Sequence, residues 1–241
     1  GYEITTGERN VVIGHEAAQN ANTMNYSVVI GNAAGRNLSG STEAIYIGRN
    51  TGYYVSGNRN TFVGTNAGFG GASLSHATTE SVALGRNAFY YNAAANYNVA
   101  IGSDALMGPS TGISGDNNVA VGRESAKSVT TGHSNVFMGA GAGYGATTAQ
   151  KSVVIGMNAG YALGTHNGST IIGFEAGRFM DAGSGGSVAI GHQALYSGTQ
   201  NYQDTAIGIN AGKKATGASA NNVYIGSSAG PSSAGAISNK L

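Results

Sequence analysis

The chain has 241 residues, of which 41 are Gly and 2 are Pro, and it contains neither Cys nor Trp. Charged residues make up only 10% of the sequence and the formal net charge is +1, so no electrostatic signal predicts binding to nucleic acid or to an anionic membrane. The lack of Cys excludes disulfides, thiolate metal sites and cysteine nucleophiles. No apolar run is long enough to span a bilayer, yet a hydrophobic fraction of 41% argues against simple disorder.

A repeat fills almost the whole chain. A short apolar segment followed by Gly recurs thirteen times, most often at intervals of 17 residues. We interpret residues 10–230 as one repeat array, residues 1–9 as an N-terminal lead-in, and residues 231–241 as a C-terminal exit segment to a domain outside this sequence. The repeated glycines, called strand glycines below, are Gly14, Gly31, Gly48, Gly64, Gly85, Gly102, Gly122, Gly139, Gly156, Gly173, Gly191, Gly208 and Gly226.

Aligning the repeats on the strand glycine shows which positions are constant. The residue one before it is always apolar, and the residue three before it is Val in nine repeats. Because these two flanking columns lie two residues apart, they share one face of a β-strand. The residue four before the strand glycine is Asn, Ser or Asp in every repeat except that of Ala44. Short polar side chains at this position predict either a turn into the strand or a polar ladder along the stack.

One short β-branched strand in a unit of about 17 residues predicts a coil of a β-solenoid, and is too little for a two-helix repeat or a propeller blade. Each coil would stack on the next with its strand about 4.8 Å away, so that stacking buries a core which a single coil cannot build. Gly at the strand end permits a sharp bend. The predicted fold class is all-β, a parallel β-roll of about thirteen coils.

The column between the two flanking columns contains no charged or strongly polar residue. On a strand this middle column points to the opposite face from its neighbours, which we expect to be the face away from the coil interior. A strand that is apolar on both faces is normally buried on both. We therefore predict a homo-oligomer with the middle column at its interface, formed by Val12, Val29, Tyr46, Phe62, Ala83, Ala100, Ala120, Phe137, Val154, Ile171, Ala189, Ala206 and Tyr224.

The repeat resembles a known family. The segments Asn98-Val-Ala-Ile-Gly102, Asn118-Val-Ala-Val-Gly122 and Ser187-Val-Ala-Ile-Gly191 resemble the head repeat of YadA-like trimeric autotransporter adhesins. The repeat of this chain is longer than that of the adhesins. The longer form, as in Asn60-Thr-Phe-Val-Gly-Thr-Asn-Ala-Gly68, looks more like the shafts of phage tail fibres and related secreted trimeric fibres.

The resemblance carries its own expectations. It implies a left-handed β-roll assembled as an intertwined or side-by-side homotrimeric fibre, displayed outside the cell on a virion tail or a bacterial surface. It also implies a structural and adhesive function in attachment to a host cell surface, with a surface glycan or a protein as the receptor. Residues 237–241 are similar to the segment that closes such arrays before a following domain.

Aromatic residues recur five positions after the strand glycine. Repeated Tyr side chains on an outer wall would form a ladder suited to stacking against glycans. The alternative is that these rings cover the outer wall and pack on neighbouring coils. Two insertions in the repeat, at residues 70–79 and 108–115, are also candidate recognition loops. The candidate binding residues are Tyr53, Phe69, Tyr90, Tyr144, Tyr161 and Tyr196.

Nothing in the sequence predicts catalysis. The histidines His15, His76, His133, His166 and His192 have no metal-ligand spacing and are expected in exposed loops. The carboxylates are scattered and form no pair for glycoside cleavage. We predict no enzyme activity, no cofactor, no metal and no membrane insertion. Two alternatives to an adhesive fibre stay open: a tailspike enzyme that depolymerises polysaccharide, and a structural filament or matrix protein that binds no receptor.

Overall fold

The structure, a computed structural model, describes residues 7–38, 40–71, 77–180, 185–197, 203–215 and 221–231. Two compact units divide the chain, the first covering residues 1–123 and the second residues 124–241. Throughout the described ranges the backbone forms strands, turns and bends, without helix.

Each of the thirteen repeats contributes one strand of three residues, which ends at the residue before its strand glycine. Two further strands of two residues, β2 and β4, lie on a second wall of the first unit. The strands are β1 Val11–Ile13, β2 Met24–Asn25, β3 Val28–Ile30, β4 Ser41–Thr42, β5 Ile45–Ile47, β6 Thr61–Val63, β7 Val82–Leu84, β8 Val99–Ile101, β9 Val119–Val121, β10 Val136–Met138, β11 Val153–Ile155, β12 Thr170–Ile172, β13 Val188–Ile190, β14 Thr205–Ile207 and β15 Val223–Ile225.

The three-residue strands pair in parallel, each with the strand of the next repeat. In the first unit Val28 of β3 pairs with Val11 of β1 and with Ile45 of β5, and the same column stays in register through β9. In the second unit β10 to β15 pair in the same way, with Val153 opposite Val136 and Thr170. The predicted all-β parallel solenoid is therefore confirmed in each unit.

The strand glycines adopt a backbone that other residues rarely reach. Their φ angles lie between +116° and +137°, a region that L side chains avoid. A Cβ built on Gly85 would lie 2.7 Å from the carbonyl oxygen of Gly102 in the next coil. The repeated Gly is thus required twice, by its own φ and by the close approach of the neighbouring coil.

The middle column faces the coil interior, contrary to the expectation from sequence. Phe62, Ala100, Phe137 and Ile171 are completely buried within one chain, and Tyr224 in the last strand is 4% exposed. The flanking residues of the same strands are half-buried or exposed. The predicted outward direction of the middle column is wrong because strand alternation puts the flanking columns outside. Within the chain, the column predicted as an interface is core at all positions except the half-buried Val12 of the first strand. The core members are Val29, Tyr46, Phe62, Ala83, Ala100, Ala120, Phe137, Val154, Ile171, Ala189, Ala206 and Tyr224.

The size of the middle residue is matched by the residue four positions after the strand glycine. Where the middle residue is large, the partner is Gly: a Cβ on Gly52 would lie 2.8 Å from the ring of Tyr46. Where the middle residue is Ala83, the partner is the fully buried Phe89, and Ala189 is matched by Leu195 in the same manner. Most coils therefore place one large side chain in the core, from the strand or from the turn. The coil of Ala120 has Ala126 at the turn position, and the coil of Ala206 has Gly212, whose space is taken by Leu195 and Tyr224 of the adjacent coils.

The polar column four before the strand glycine forms a buried ladder. In the first unit the backbone N–H of Ser81 donates to Asn60 Oδ1 at 3.0 Å, that of Asn98 to Ser81 Oγ at 3.1 Å, and that of Asn118 to Asn98 Oδ1 at 2.9 Å. In the second unit the N–H of Ser152 donates to Asn135 Oδ1 at 3.0 Å. Of the two readings of this column, the side-chain ladder is confirmed, and it satisfies backbone donors that would otherwise be buried alone.

Candidate interaction surface

The outward face of the three-residue strands is apolar in both units, apart from Thr61, Thr170 and Thr205. Exposure is greatest in the first strand of the first unit and the last strand of the second unit, at 47% for Val11 and 58% for Ile13 in β1 and 67% for Ile225 in β15. Inside the stacks adjacent coils cover part of each side chain, and Ile45 and Val153 are 38% and 36% exposed. Each unit therefore carries an apolar stripe of two columns along its stack of strands.

Folding of one chain does not require this stripe. The interior of each coil is already filled by the middle column and the residues of the turns. An outward strand face that met only water would normally alternate to polar residues. Apolar columns repeated along a whole sheet face exceed the isolated apolar residues common on soluble surfaces and are typical of an interaction site. The sequence pattern placed the interface in the middle column, which is one residue away from the flanking columns that form this stripe.

The aromatic column forms stacks that run along the coils. In the first unit Phe69 stacks on Tyr53 with ring centroids 5.3 Å apart, and on Tyr90 with centroids 4.9 Å apart and planes 7° apart. In the second unit Tyr144 and Tyr161 stack at 4.8 Å with planes 11° apart. The ring faces are therefore turned toward neighbouring coils, and the edges and tips are turned to the side.

In coils where this column holds Lys or Arg, the cationic side chain lies over an aromatic ring of the neighbouring coil. Arg36 lies over Tyr53 at 5.5 Å, and Lys127 lies over Tyr144 at 5.6 Å. Arg178 covers Tyr161 at 5.6 Å, and Lys213 covers Tyr196 at 5.6 Å. The signal was present in the sequence, since Lys or Arg often stands in this column where an aromatic does not.

The stacked geometry favours the packing role of the aromatic column over glycan stacking. A sugar ring stacks on an aromatic face, but both faces of Phe69 are occupied by Tyr53 and Tyr90. Cation–π and ring–ring contacts stabilise neighbouring coils. Glycan binding by Tyr53, Phe69, Tyr90, Tyr144, Tyr161 and Tyr196 stays a prediction, and it would have to use ring edges and hydroxyl groups.

The histidines and the insertions are placed as follows. His15 and His192 are exposed, His133 is half-buried, and His166 is completely buried, so the expectation of an exposed loop is wrong for His166. His76 and residues 72–76 of the first insertion lie outside the described residues.

The second insertion packs inward, because Ile113 is fully buried and pairs with Asn92. In the described ranges no group of three His, Asp or Glu could hold a metal ion.

Burial shifts the ionisation of the core tyrosines. Desolvation raises the pKa of Tyr46 to about 12, and the nearby polar side chains of Ser41 and Asn60 offset this only in part. Desolvation also raises the pKa of Tyr224, and the negative charge of Asp204 acts in the same direction. These hydroxyl groups stay neutral at physiological pH and belong to the interior of the coils, so they offer no acid or base to a substrate.

A cavity of about 270 Å³ lies at the C-terminal end of the second unit. Its lining contains no carboxylate and no histidine, so it lacks the groups that general acid–base chemistry uses most often. The lining residues are Asn210, Lys213, Lys214, Ser228, Gly230 and Pro231.

Comparisons with protein-family models, with curated proteins and with solved structures find no match to the chain. Among the described residues there is no helix of the length and apolarity that crossing a membrane requires.

Proposed function

We propose that the chain is a structural and adhesive segment of a homotrimeric fibre that attaches to a cell surface. The observation that carries this proposal is the apolar stripe of the flanking columns, which a single chain leaves uncovered. Copies of the same chain carry the same stripe and would bury it against one another. The number three, the extracellular display on a phage tail or a bacterium, and the receptor class come from the resemblance to YadA-like heads and tail-fibre shafts.

The mechanism of such a fibre is mechanical and multivalent. Parallel coils with buried polar ladders and filled interiors make a stiff element, because each strand is held by its neighbours on both sides. Three identical outer surfaces would raise the avidity of weak contacts to repeated glycans or proteins. This chemistry needs no catalytic group and no cofactor.

The stripe can be tested with one substitution in the second unit. Ile155 belongs to a flanking column and is half-buried on the outward face. Ile155→Asp is expected to lower the native mass measured by light scattering while the circular dichroism of the β-sheet is retained. Thr165→Asp, at an exposed residue of a turn, is the matched control and should leave the native mass unchanged. An unchanged mass for Ile155→Asp would contradict burial of the stripe between copies.

Attachment needs a separate test. The intact chain, labelled with a fluorophore, is applied to a glycan array and to bacterial cells, beside the Ile155→Asp variant. We expect saturable binding by the intact chain and a large loss for the variant, because avidity disappears with the oligomer. An oligomer that binds nothing would support the non-binding filament instead, and loss of polysaccharide viscosity during incubation would support the depolymerase.

A further inference from the structure

The outward face extends beyond the flanking columns on both sides. Side-chain direction alternates along a strand, so the residues five before and one after each strand glycine border the same face. We call them the leading and the trailing column. Tyr26 and Tyr97 of the leading column are 54% and 52% exposed, and Met157 and Ile209 of the trailing column are 48% and 56% exposed. In each coil a strand of three residues separates the two columns.

In two coils the leading and trailing columns carry opposite charges. Glu43 is leading and Arg49 is trailing in the coil of β5, and both are exposed. Among the described residues neither makes an ion pair. Glu80 and Arg86 repeat the arrangement in the coil of β7, where each also has a partner at the surface of its own chain. None of the thirteen coils places two acidic residues, or two of Lys and Arg, in these columns.

Side-chain sizes in the second unit are complementary in the same way. The leading column holds Gly168 and Gly186 in the two coils whose trailing residues are Phe174 and His192. The rings of Phe174 and His192 stack at 5.2 Å, and Phe174 is 37% exposed. The reverse pairing occurs in the first unit, where the large Tyr97 is leading and the small Ser103 is trailing in one coil.

The backbone conformation of the leading column does not require Gly at positions 168 and 186. All thirteen leading residues have positive φ, and the other eleven are not Gly, with φ between +53° and +60°. A Cβ on Gly168 would meet nothing within 4 Å in its own chain. The fold of one chain therefore does not demand Gly at Gly168 or Gly186. The notches that these two residues create face outward.

We infer that neighbouring copies associate in parallel and in register, with the leading column of one copy against the trailing column of the next. This rests on the proposed oligomer and adds its orientation. The two columns border opposite sides of the stripe in one chain, so their complementarity can act only between copies. Rotation about an axis along the stack brings the leading border of one copy to the trailing border of the next at equal height. An antiparallel arrangement would bring different coils together and lose both the charge and the size matches.

Under this arrangement specific pairs fix the register. Glu43 of one copy would face Arg49 of the next, and Phe174 of one copy would enter the notch at Gly168 of the next. Charged pairs across an interface select partners and register more than they add affinity. A shift by one coil in one direction would put Glu43 opposite Thr65 and Phe174 opposite Lys151. A shift in the other direction would put Glu43 opposite Asn32 and Phe174 opposite Gly186, so at most one of the two matches would survive.

The absence of Cys makes a cross-linking test direct. The full chain carrying Glu43→Cys and Arg49→Cys is treated with a short bismaleimide and run on a denaturing gel. We expect a shift of most of the chain to covalent multimers, because only a link between copies raises the mass. The control carries Glu43→Cys and Arg86→Cys, two coils apart, and should stay mainly at the monomer position. Light scattering of both variants before treatment reports whether the oligomer is present.

The outcomes separate the two proposals. An intact oligomer in which the offset pair links and the matched pair does not would overturn the in-register arrangement alone. A monomer by light scattering for the unmodified chain would overturn the oligomer and this inference together. The notch supplies a second test: Gly168→Phe should reduce the native mass, and Gly168→Phe with Phe174→Gly should restore it. Restoration by the double variant supports the pairing, whereas equal loss in both variants contradicts it.

Discussion

The middle and flanking columns of the same strands are both largely apolar, but folding of a single chain fully buries only the middle column. Middle residues vary from Ala83 to Phe62, and in most coils the size change is matched inside the coil, by Phe89 in one case and by Gly68 in the other. Flanking residues stay Val, Ile, Leu, Met or Thr with no matching partner in their own chain, and they are half-buried or exposed. Size compensation within a coil therefore indicates a core column, whereas repeated apolar residues without compensation indicate a surface that another chain can cover.

Removal of a middle side chain should have the largest effect. Phe137→Ala opens a cavity beside Gly143 in a fully buried site, and such changes cost about 3–5 kcal/mol. Val136→Ala, in the flanking column of the same strand, is the matched control and should cost much less in the dissociated chain. Chemical denaturation measured in parallel on both variants, in the Ile155→Asp background, checks this. Equal losses would mean that the two faces of the strand are equivalent.

A pH titration should show the burial of Tyr46. Its pKa is raised from 10.0 to about 12, so below pH 10 the phenol is protonated in both the folded and the unfolded states. Between pH 10 and 12 the unfolded chain loses the proton more readily, and the free energy of unfolding falls by up to about 3 kcal/mol. Tyr46→Phe should remove this part of the alkaline loss. A variant with the same alkaline profile as the parent would argue against burial of the hydroxyl.

Moving the large side chain of one coil from the turn to the strand tests whether the middle column and the turn share one space in the core. Ala83→Phe alone overpacks against Phe89, and Phe89→Gly alone leaves a cavity. The double variant reproduces the arrangement of Phe62 and Gly68 one coil earlier. We expect it to be more stable than the sum of the single effects predicts, by about 1–3 kcal/mol. Strict additivity in denaturation would show that the two positions do not share one space.

The smallest effect is expected on the outer wall. Tyr161 lies between Tyr144 and Arg178 in the aromatic column. Tyr161→Ala should lose its buried area and about 1 kcal/mol from the ring contacts, whereas Tyr161→Leu should lose mainly the latter. Thermal unfolding of both variants distinguishes them. If Tyr161→Leu were as stable as the parent, the stacking would contribute nothing.

Sequence patterns predicted the strands because Val and Ile recur two residues apart before a repeated Gly. They did not predict which face is inside, because the segment Val-Phe-Met of β10 is apolar at all three positions and alternation alone cannot orient it. The deciding signal lies in the relation between Phe137 and Gly143, a size match within one coil that no single column displays. The leading and trailing columns were missed for the same reason, since their pattern exists only as pairs.

Other copies of this chain are proposed to cover the apolar stripe of the flanking columns. The most direct test is the native mass of the unmodified protein, measured by light scattering over a range of concentrations together with far-ultraviolet circular dichroism. We expect a β-rich oligomer near three times 24.0 kDa. A β-rich monomer of 24.0 kDa at every concentration would contradict it.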